Sequence, residues 1–232
     1  MPDGRTAILF FSHRPGREWQ NKRFVRGDYG KHRRVATALY EHSRAAVGES
    51  GLPVLEVNRA QQRGRTFGAR LANAFADAFA EGYEHVIAVG SDCPRLAEVD
   101  WEAVEARLEA GRPVLGPTTE GAGAYLIGLS RAQFDRDAFA GLPWQTANLL
   151  PALTRYCTAQ ADGAPIQLTP RADVNGHDDL LALVRNETPV PRALYHQLRR
   201  VLGPLHHQSE TRALQSTSRT QSPPVRGPPS EP

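Results

Sequence analysis

The chain of 232 residues is long enough for one α/β domain with a substantial core, and its 40% hydrophobic and 23% charged residues are typical of a globular protein. Its net charge of +3 is spread along the sequence instead of forming a basic stripe, which argues against a nucleic-acid-binding protein. Apolar runs are far shorter than the roughly 20 residues that span a bilayer, and only two cysteines are present, so we predict a reduced, cytoplasmic protein without membrane insertion.

Buried strands and amphipathic helices alternate in the first part of the chain. Residues 7–11 predict a buried strand, and a basic loop separates them from a helix predicted over residues 31–47. A second strand is predicted at residues 54–57. Thr66 is expected to cap the next helix, whose apolar stripe comprises Phe67, Leu71, Phe75 and Phe79.

The alternation continues through the second part. Residues 86–89 predict a buried strand, and Asp100 is expected to cap the helix that follows. Two strands are predicted, one near Val114 and one at residues 125–129, and Thr146 is expected to start another helix. This pattern predicts a single three-layer αβα domain with a mostly parallel central sheet, in which ligands bind outside the carboxyl ends of the strands.

The composition changes near the C-terminus. From about residue 206 the chain is rich in Ser, Pro, Gln, Arg and Gly and has few apolar residues. Such a segment cannot bury enough surface to offset the entropy lost on ordering. We therefore predict a domain over residues 1–205 and a disordered tail over residues 206–232.

The segment V-I-A-V-G-S-D-C-P contains the first candidate site residue. A buried strand delivers Asp92 to its carboxyl end. A carboxylate in that position can hold a divalent cation that bridges a pyrophosphate. The alternative is a turn in which Asp92 hydrogen-bonds its own backbone.

A second acidic segment, A-D-V-N-G-H-D-D-L, lies near the end of the predicted domain. Asp173 and Asn175 are two positions apart, so in an extended segment both project the same way and can complete a site for a hard cation. Alternatively, Asn175 or Gly176 starts a helix whose N-terminus is stabilised by Asp178 and Asp179. A helix start there does not exclude a metal role for Asp173.

Two further loops lie at the predicted ligand-binding edge. In L-G-P-T-T-E-G-A-G-A-Y-L-I-G-L, Gly123 belongs to a run of small residues that lets the backbone approach a ligand, and Glu120 is a candidate general base or a solvated loop residue. The loop S-H-R-P-G-R-E-W-Q-N-K-R-F carries Arg17, Lys22 and Arg23, which can neutralise a diphosphate. A solvated basic loop is the alternative.

Trp144, in L-P-W-Q-T, either anchors its loop or stacks on a base or sugar, and the anchor is favoured. Motifs of the His-x-x-x-His, Cys-x-x-Cys and Gly-x-Ser-x-Gly types are missing from the sequence. Zinc-dependent hydrolysis and a serine-hydrolase elbow are therefore not supported.

These segments, in this order, resemble a bacterial family of uncharacterised glycosyltransferase-like proteins with the GT-A nucleotide-diphospho-sugar transferase fold, some of which are named for arsenosugar biosynthesis. The resemblance covers about residues 6–184. It implies that Asp92 and Asp173 hold Mg²⁺ or Mn²⁺ against a nucleotide diphosphate and that the basic residues of the first loop face the nucleotide. We assign Ser91 and Gly123 to the nucleotide-sugar contacts as well.

The resulting functional prediction is a metal-dependent glycosyltransferase that uses a nucleoside-diphosphate sugar and a small-molecule acceptor, with Asp92 and Glu120 as catalytic residues. A nucleotidyltransferase acting on a nucleoside triphosphate is the first alternative. The second is a non-catalytic nucleotide-sugar-binding protein, because the loop around Glu120 departs from the Asp-Gly-Gly-Tyr-like stretch of related proteins.

Overall fold

The structure is a computed structural model that describes residues 5–12, 24–185 and 189–203. One compact unit ends at Leu202. The predicted tail over residues 206–232 lies outside the described residues, so its disorder stays a prediction.

Six strands form the central sheet of the described chain. In sequence order they are β1 (Thr6–Phe11), β2 (Val54–Val57), β3 (His85–Val89), β4 (Val114–Pro117), β5 (Ala124–Ser130) and β6 (Ile166–Gln167). Their spatial order is β2-β1-β3-β5-β4-β6. Only β5 among them runs antiparallel to its neighbours. The predicted mostly parallel sheet is therefore confirmed.

Helices cover both faces of this sheet. They are α1 (Tyr29–Gly48), α2 (Phe67–Ala80), α3 (Trp101–Glu109), α4 (Arg136–Ala140), α5 (Leu149–Gln160), α6 (His177–Val184) and α7 (Arg192–Leu202). Residues of α2, α4 and α5 share one hydrophobic core with the sheet, and residues of α1 and α3 share the other. This arrangement is the three-layer αβα architecture that the sequence predicts.

Strand β1 shows why its sequence reads as an unbroken apolar run. Ala7, Leu9 and Phe11 belong to one core, whereas Ile8 and Phe10 belong to the other. Successive side chains of a strand point to opposite faces, so a strand covered on both faces needs apolar residues at every position.

The predicted caps of α2 and α3 are confirmed. The Thr66 hydroxyl accepts a hydrogen bond from the Ala69 N–H at 3.1 Å, and the Asp100 carboxylate accepts one from the Ala103 N–H at 2.9 Å. The helix expected at Thr146 begins instead at Leu149. Its start is delayed because the Thr146 hydroxyl closes a turn, donating to the Pro143 carbonyl at 2.8 Å.

Strand β5 is antiparallel to its neighbours, whereas a simple βαβ repeat would make it parallel to them. A short loop, without a crossover helix, connects β4 to β5, and such a connection can join only antiparallel strands. Strand β6, which has two residues and pairs with β4, was not predicted from the sequence.

The two cysteines are buried free thiols. Burial raises the pKa of Cys93 and of Cys157 to about 12, so neither is a reactive thiolate near neutral pH. None of the helices in the described ranges has both the length and the apolar character needed to cross a membrane.

Candidate functional site

A cavity of about 230 Å³ opens at the carboxyl edge of the parallel strands. The ends of β1 and β3 and the loop after β4 contribute to it, and this is the edge where ligands bind in such sheets. Its polar lining residues are Asp92, Thr118, Gln145 and Asp173. Its aromatic and larger aliphatic lining residues are Phe11, Phe67, Leu71, Tyr125, Ile127, Trp144 and Leu149.

The two predicted metal-binding acids line this same cavity. Asp92 follows the end of β3, and Asp173 precedes α6. The Val174 N–H donates a hydrogen bond to the Asp92 carbonyl at 2.8 Å. This backbone contact fixes the two acidic segments next to each other, although they are far apart in sequence.

The segment around Asp173 combines the two interpretations that the sequence left open. Helix α6 begins at His177, and the Asp179 carboxylate accepts hydrogen bonds from the N–H groups of Asn175 and Gly176, at 2.8 and 3.0 Å. Asp173 stays outside the helix, where the Asn175 amide donates to its carboxylate at 2.5 Å. The helix start therefore leaves Asp173 at the cavity and orients its side chain.

Arg171 supports this segment, and sequence reasoning missed it. Its side chain is buried and donates to the Glu98 carboxylate at 2.8 Å and to the Glu98 carbonyl at 2.9 Å. Arg95 also pairs with Glu98. Hydrogen bonds from Arg95, and then from Arg171, lower the pKa of Glu98 to about 2, so Glu98 is ionised near neutral pH.

Backbone contacts of Arg171 extend this support to the loop after β4. The Arg171 N–H donates to the Pro117 carbonyl at 3.1 Å, and the Thr119 N–H donates to the Arg171 carbonyl at 3.0 Å. Three segments at the cavity edge, after β3, after β4 and before α6, are thus connected through one residue.

Tyr125 forms part of the cavity wall and depends on a neighbouring glycine. A Cβ atom on Gly116 would lie 2.5 Å from the Cζ atom of Tyr125, so only glycine allows the ring to pack there. The Tyr125 hydroxyl donates to the Thr169 carbonyl at 3.2 Å. The guanidinium of Arg171 lies 5.9 Å from the ring centroid.

Trp144 anchors its loop and also lines the cavity. Its indole N–H donates to the Phe139 carbonyl at 2.9 Å, and its ring centroid lies 5.5 Å from that of Phe67. A Cβ atom on Gly68 would lie 2.3 Å from Trp144 Cδ1. The next residue, Gln145, has a φ of 61°, a conformation that is costly for a residue with a Cβ atom.

The other predicted site residues occupy different positions. Gly123 lines the cavity, and its N–H donates to the Thr118 hydroxyl at 3.2 Å. Glu120 is exposed in the β4–β5 loop and does not line the cavity. Ser91 is buried and does not line the cavity either, although its neighbours Gly90 and Asp92 do. The predicted diphosphate ligands Arg17, Lys22 and Arg23 lie outside the described residues.

The donor set at the cavity fits a hard divalent cation shared with a ligand. Asp92 and Asp173 offer carboxylate oxygens, which suit Mg²⁺ and Mn²⁺. Within the described ranges, three or more His, Cys, Asp or Glu side chains do not come together as a metal cluster. Mg²⁺ commonly uses one or two carboxylates and takes its remaining ligands from water and substrate phosphates.

The family described as an uncharacterized protein conserved in bacteria, DUF2064, matches residues 31–146, half of the 232-residue chain. The chain belongs to this family. The matched region of DUF2064 includes Asp92 and Trp144 and ends before Asp173. No curated protein matches the chain.

Solved structures share the fold. A proposed nucleotide-diphospho-sugar transferase from Desulfovibrio desulfuricans G20 is similar with a TM-score of 0.62 and 24% identity, covering 85% of this chain and 95% of that chain. Rv0371c from Mycobacterium tuberculosis H37Rv is similar with a TM-score of 0.50 and 14% identity, covering 80% and 100%. At these identities the likeness establishes the fold, and the nucleotide-diphospho-sugar transferase fold predicted from the sequence is confirmed.

Proposed function

We propose that the chain is a metal-dependent glycosyltransferase that moves a sugar from a nucleoside-diphosphate sugar to a small-molecule acceptor. The observation that carries this proposal is the position of Asp92 and Asp173 on one cavity, joined by the bond from the Val174 N–H to the Asp92 carbonyl. Further support comes from the fold shared with the Desulfovibrio desulfuricans protein.

In the proposed reaction, the bond between the anomeric carbon and the diphosphate breaks, and a bond to an acceptor oxygen forms while that oxygen loses its proton. A cation held by Asp92 and Asp173 would neutralise the charge that develops on the diphosphate. The Asn175 amide orients the Asp173 carboxylate for this role. Arg17, Lys22 and Arg23 remain proposed diphosphate ligands, and Glu120 remains a proposed base.

A thermal-shift screen tests the proposal through binding. The protein is heated with nucleoside-diphosphate sugars and nucleoside triphosphates, each with and without Mn²⁺. We expect one diphosphate sugar to stabilise the protein in the presence of Mn²⁺, by about 2.7 kcal/mol when it is present at roughly 100 times its dissociation constant. Asp92→Asn and Asp173→Asn should each lose this stabilisation, because each removes one carboxylate from the cation.

Asp162→Asn is the matched control, because Asp162 is exposed and does not line the cavity. It should respond like the wild-type protein. A flat response to every diphosphate sugar, or equal stabilisation of Asp92→Asn and the wild type, would contradict the proposal. Stabilisation by a triphosphate alone, with pyrophosphate release, would indicate a nucleotidyltransferase instead.

A further inference from the structure

The cavity beside the two carboxylates has an aromatic wall that is partly open to solvent. Phe67, Trp144 and Tyr125 line it, and both Phe67 and Trp144 are only partly buried. Protein interiors normally leave few gaps larger than a water molecule. Covering an apolar wall of this kind with a ligand removes apolar surface from water and therefore favours binding.

The charge of the described lining distinguishes between parts of a substrate. Asp92 and Asp173 are its charged residues, and the lining described here includes neither Lys nor Arg. A phosphate beside two carboxylates needs a cation between them, whereas an uncharged group does not. The apolar part of the lining therefore suits an uncharged group, and the diphosphate belongs at the carboxylates, where a cation can be shared.

The volume of the cavity indicates the size of the group that it can enclose. A cavity of roughly 150 Å³ lined by aliphatic and aromatic side chains is sufficient for benzene. At about 230 Å³, the present cavity has space for one ring with a few additional atoms.

The wall is held in place by several separate contacts. The Trp144 indole donates to the Phe139 carbonyl at 2.9 Å, and Gly68 leaves the space that the indole occupies. Gln145, which also lines the cavity, has a left-handed backbone conformation with a φ of 61°. A strained polar residue next to a fixed aromatic wall is typical of a ligand-binding position.

We propose that this cavity is the acceptor subsite and that it selects an alcohol carrying a compact, uncharged, apolar ring. The ring lies against Phe67 and Trp144, and the hydroxyl lies toward Asp92 and Asp173. This inference rests on the proposed glycosyltransferase function and adds the class of its acceptor.

Benzyl alcohol is a suitable probe, with glycerol as the polar counterpart, and saturation-transfer NMR measures the binding of both. We expect benzyl alcohol to bind and glycerol to give no signal. Trp144→Leu should weaken benzyl alcohol binding about tenfold by removing one of the three aromatic side chains of the wall. Trp101→Leu is the control, because Trp101 packs in the core on the opposite face of the sheet.

Ala124→Leu is a second variant that leaves the wall intact. Ala124 lines the cavity and is only partly buried, so a larger side chain should fill the cavity and abolish benzyl alcohol binding. Because Ala124 also packs against the core, thermal unfolding of this variant is measured alongside to confirm that it is folded. Unchanged binding to this variant, or a lack of benzyl alcohol binding to the wild-type protein, would overturn the acceptor-subsite proposal.

Competition separates an acceptor from the base of the donor. ADP, CDP, GDP and UDP, and the nucleoside-diphosphate sugars themselves, each added with Mn²⁺, should leave benzyl alcohol bound. Displacement by a nucleoside diphosphate would assign the cavity to the nucleobase, displacement only by a diphosphate sugar would assign it to the donor sugar, and either result would overturn the inference. Asp92→Asn should retain benzyl alcohol binding while losing the response to a diphosphate sugar. Failure of the acceptor class and failure of the glycosyltransferase proposal therefore give different results.

Discussion

At the scale of single residues, Glu98 connects the acidic segment after β3 with the segment that carries Asp173. It accepts hydrogen bonds from Arg95 at 2.8 Å and from Arg171 at 2.8 Å, and its pKa falls from the ordinary value of 4.5 to about 2. A carboxylate whose pKa is lower in the folded state stabilises the fold above its unfolded pKa. That contribution is lost as the pH falls from about 4.5 toward 2.

We therefore expect Glu98→Gln to destabilise the protein at pH 7 and to have progressively less effect between about pH 4.5 and pH 2. The effect should be modest, since the Glu98 side chain is 44% exposed and water screens its charge. Urea unfolding of both proteins across this pH range measures it, with the exposed Glu49→Gln as control. A difference in stability that stays constant down to pH 2 would contradict the assigned ion pairs.

At the residue scale, local motifs pointed to two acids that line one cavity, whereas a residue marked only by the tertiary structure was missed. Asp92 and Asp173 were selected because each follows or precedes a recognisable element, and they line one cavity. Arg171 lies in a segment without periodicity, and its partner Glu98 is distant in sequence. Nothing in the local pattern distinguishes such an arginine from a solvated one.

At the scale of elements, the contact between α2 and the loop that carries Trp144 depends on Gly68. A Cβ atom there would lie 2.3 Å from the Ala140 carbonyl oxygen and equally close to Trp144 Cδ1. We expect Gly68→Ala to lower the free energy of unfolding by about 1–3 kcal/mol, because the helix and the loop must move apart.

The matched control is Gly48→Ala, at the last residue of α1, where an added Cβ atom would meet nothing within 4 Å. This change should leave stability unchanged or raise it by up to about 1 kcal/mol, because alanine favours the helix. Chemical denaturation measures both variants. Equal effects of the two substitutions would show that Gly68 has no special packing role.

Element types were predictable from the sequence because each has a clear local signature. Continuous apolar runs gave β1 and β3, and the Thr66 and Asp100 caps gave the starts of α2 and α3. The direction of β5 was less accessible, since a run of apolar residues does not reveal which way a strand runs. Strand β6 has too few residues to produce any periodic signal.

At the scale of the whole molecule, the order of strands places three separate segments at one edge of the sheet. Strand β5 lies between β3 and β4, and the Thr118–Arg171 bridge continues the sheet toward the segment that bears Asp173. The general rule for ligand position in α/β sheets predicted this edge from the sequence. The apolar character of the cavity was not predictable, because Phe67 and Trp144 are distant in sequence. The pattern around Phe67 indicates a core residue of a helix, and that around Trp144 favours a loop anchor.

The central claim is that Asp92 and Asp173 jointly serve a metal-dependent reaction of a nucleoside-diphosphate sugar. The most direct measurement is the rate at which the protein releases nucleoside diphosphate from a panel of such sugars with Mn²⁺, with EDTA, and in the Asp173→Asn and Asp162→Asn variants. We expect release from one donor that stops with EDTA, falls about 100-fold or more in Asp173→Asn and is unchanged in Asp162→Asn. Release that continues at the wild-type rate in Asp173→Asn, or turnover confined to nucleoside triphosphates, would contradict the account.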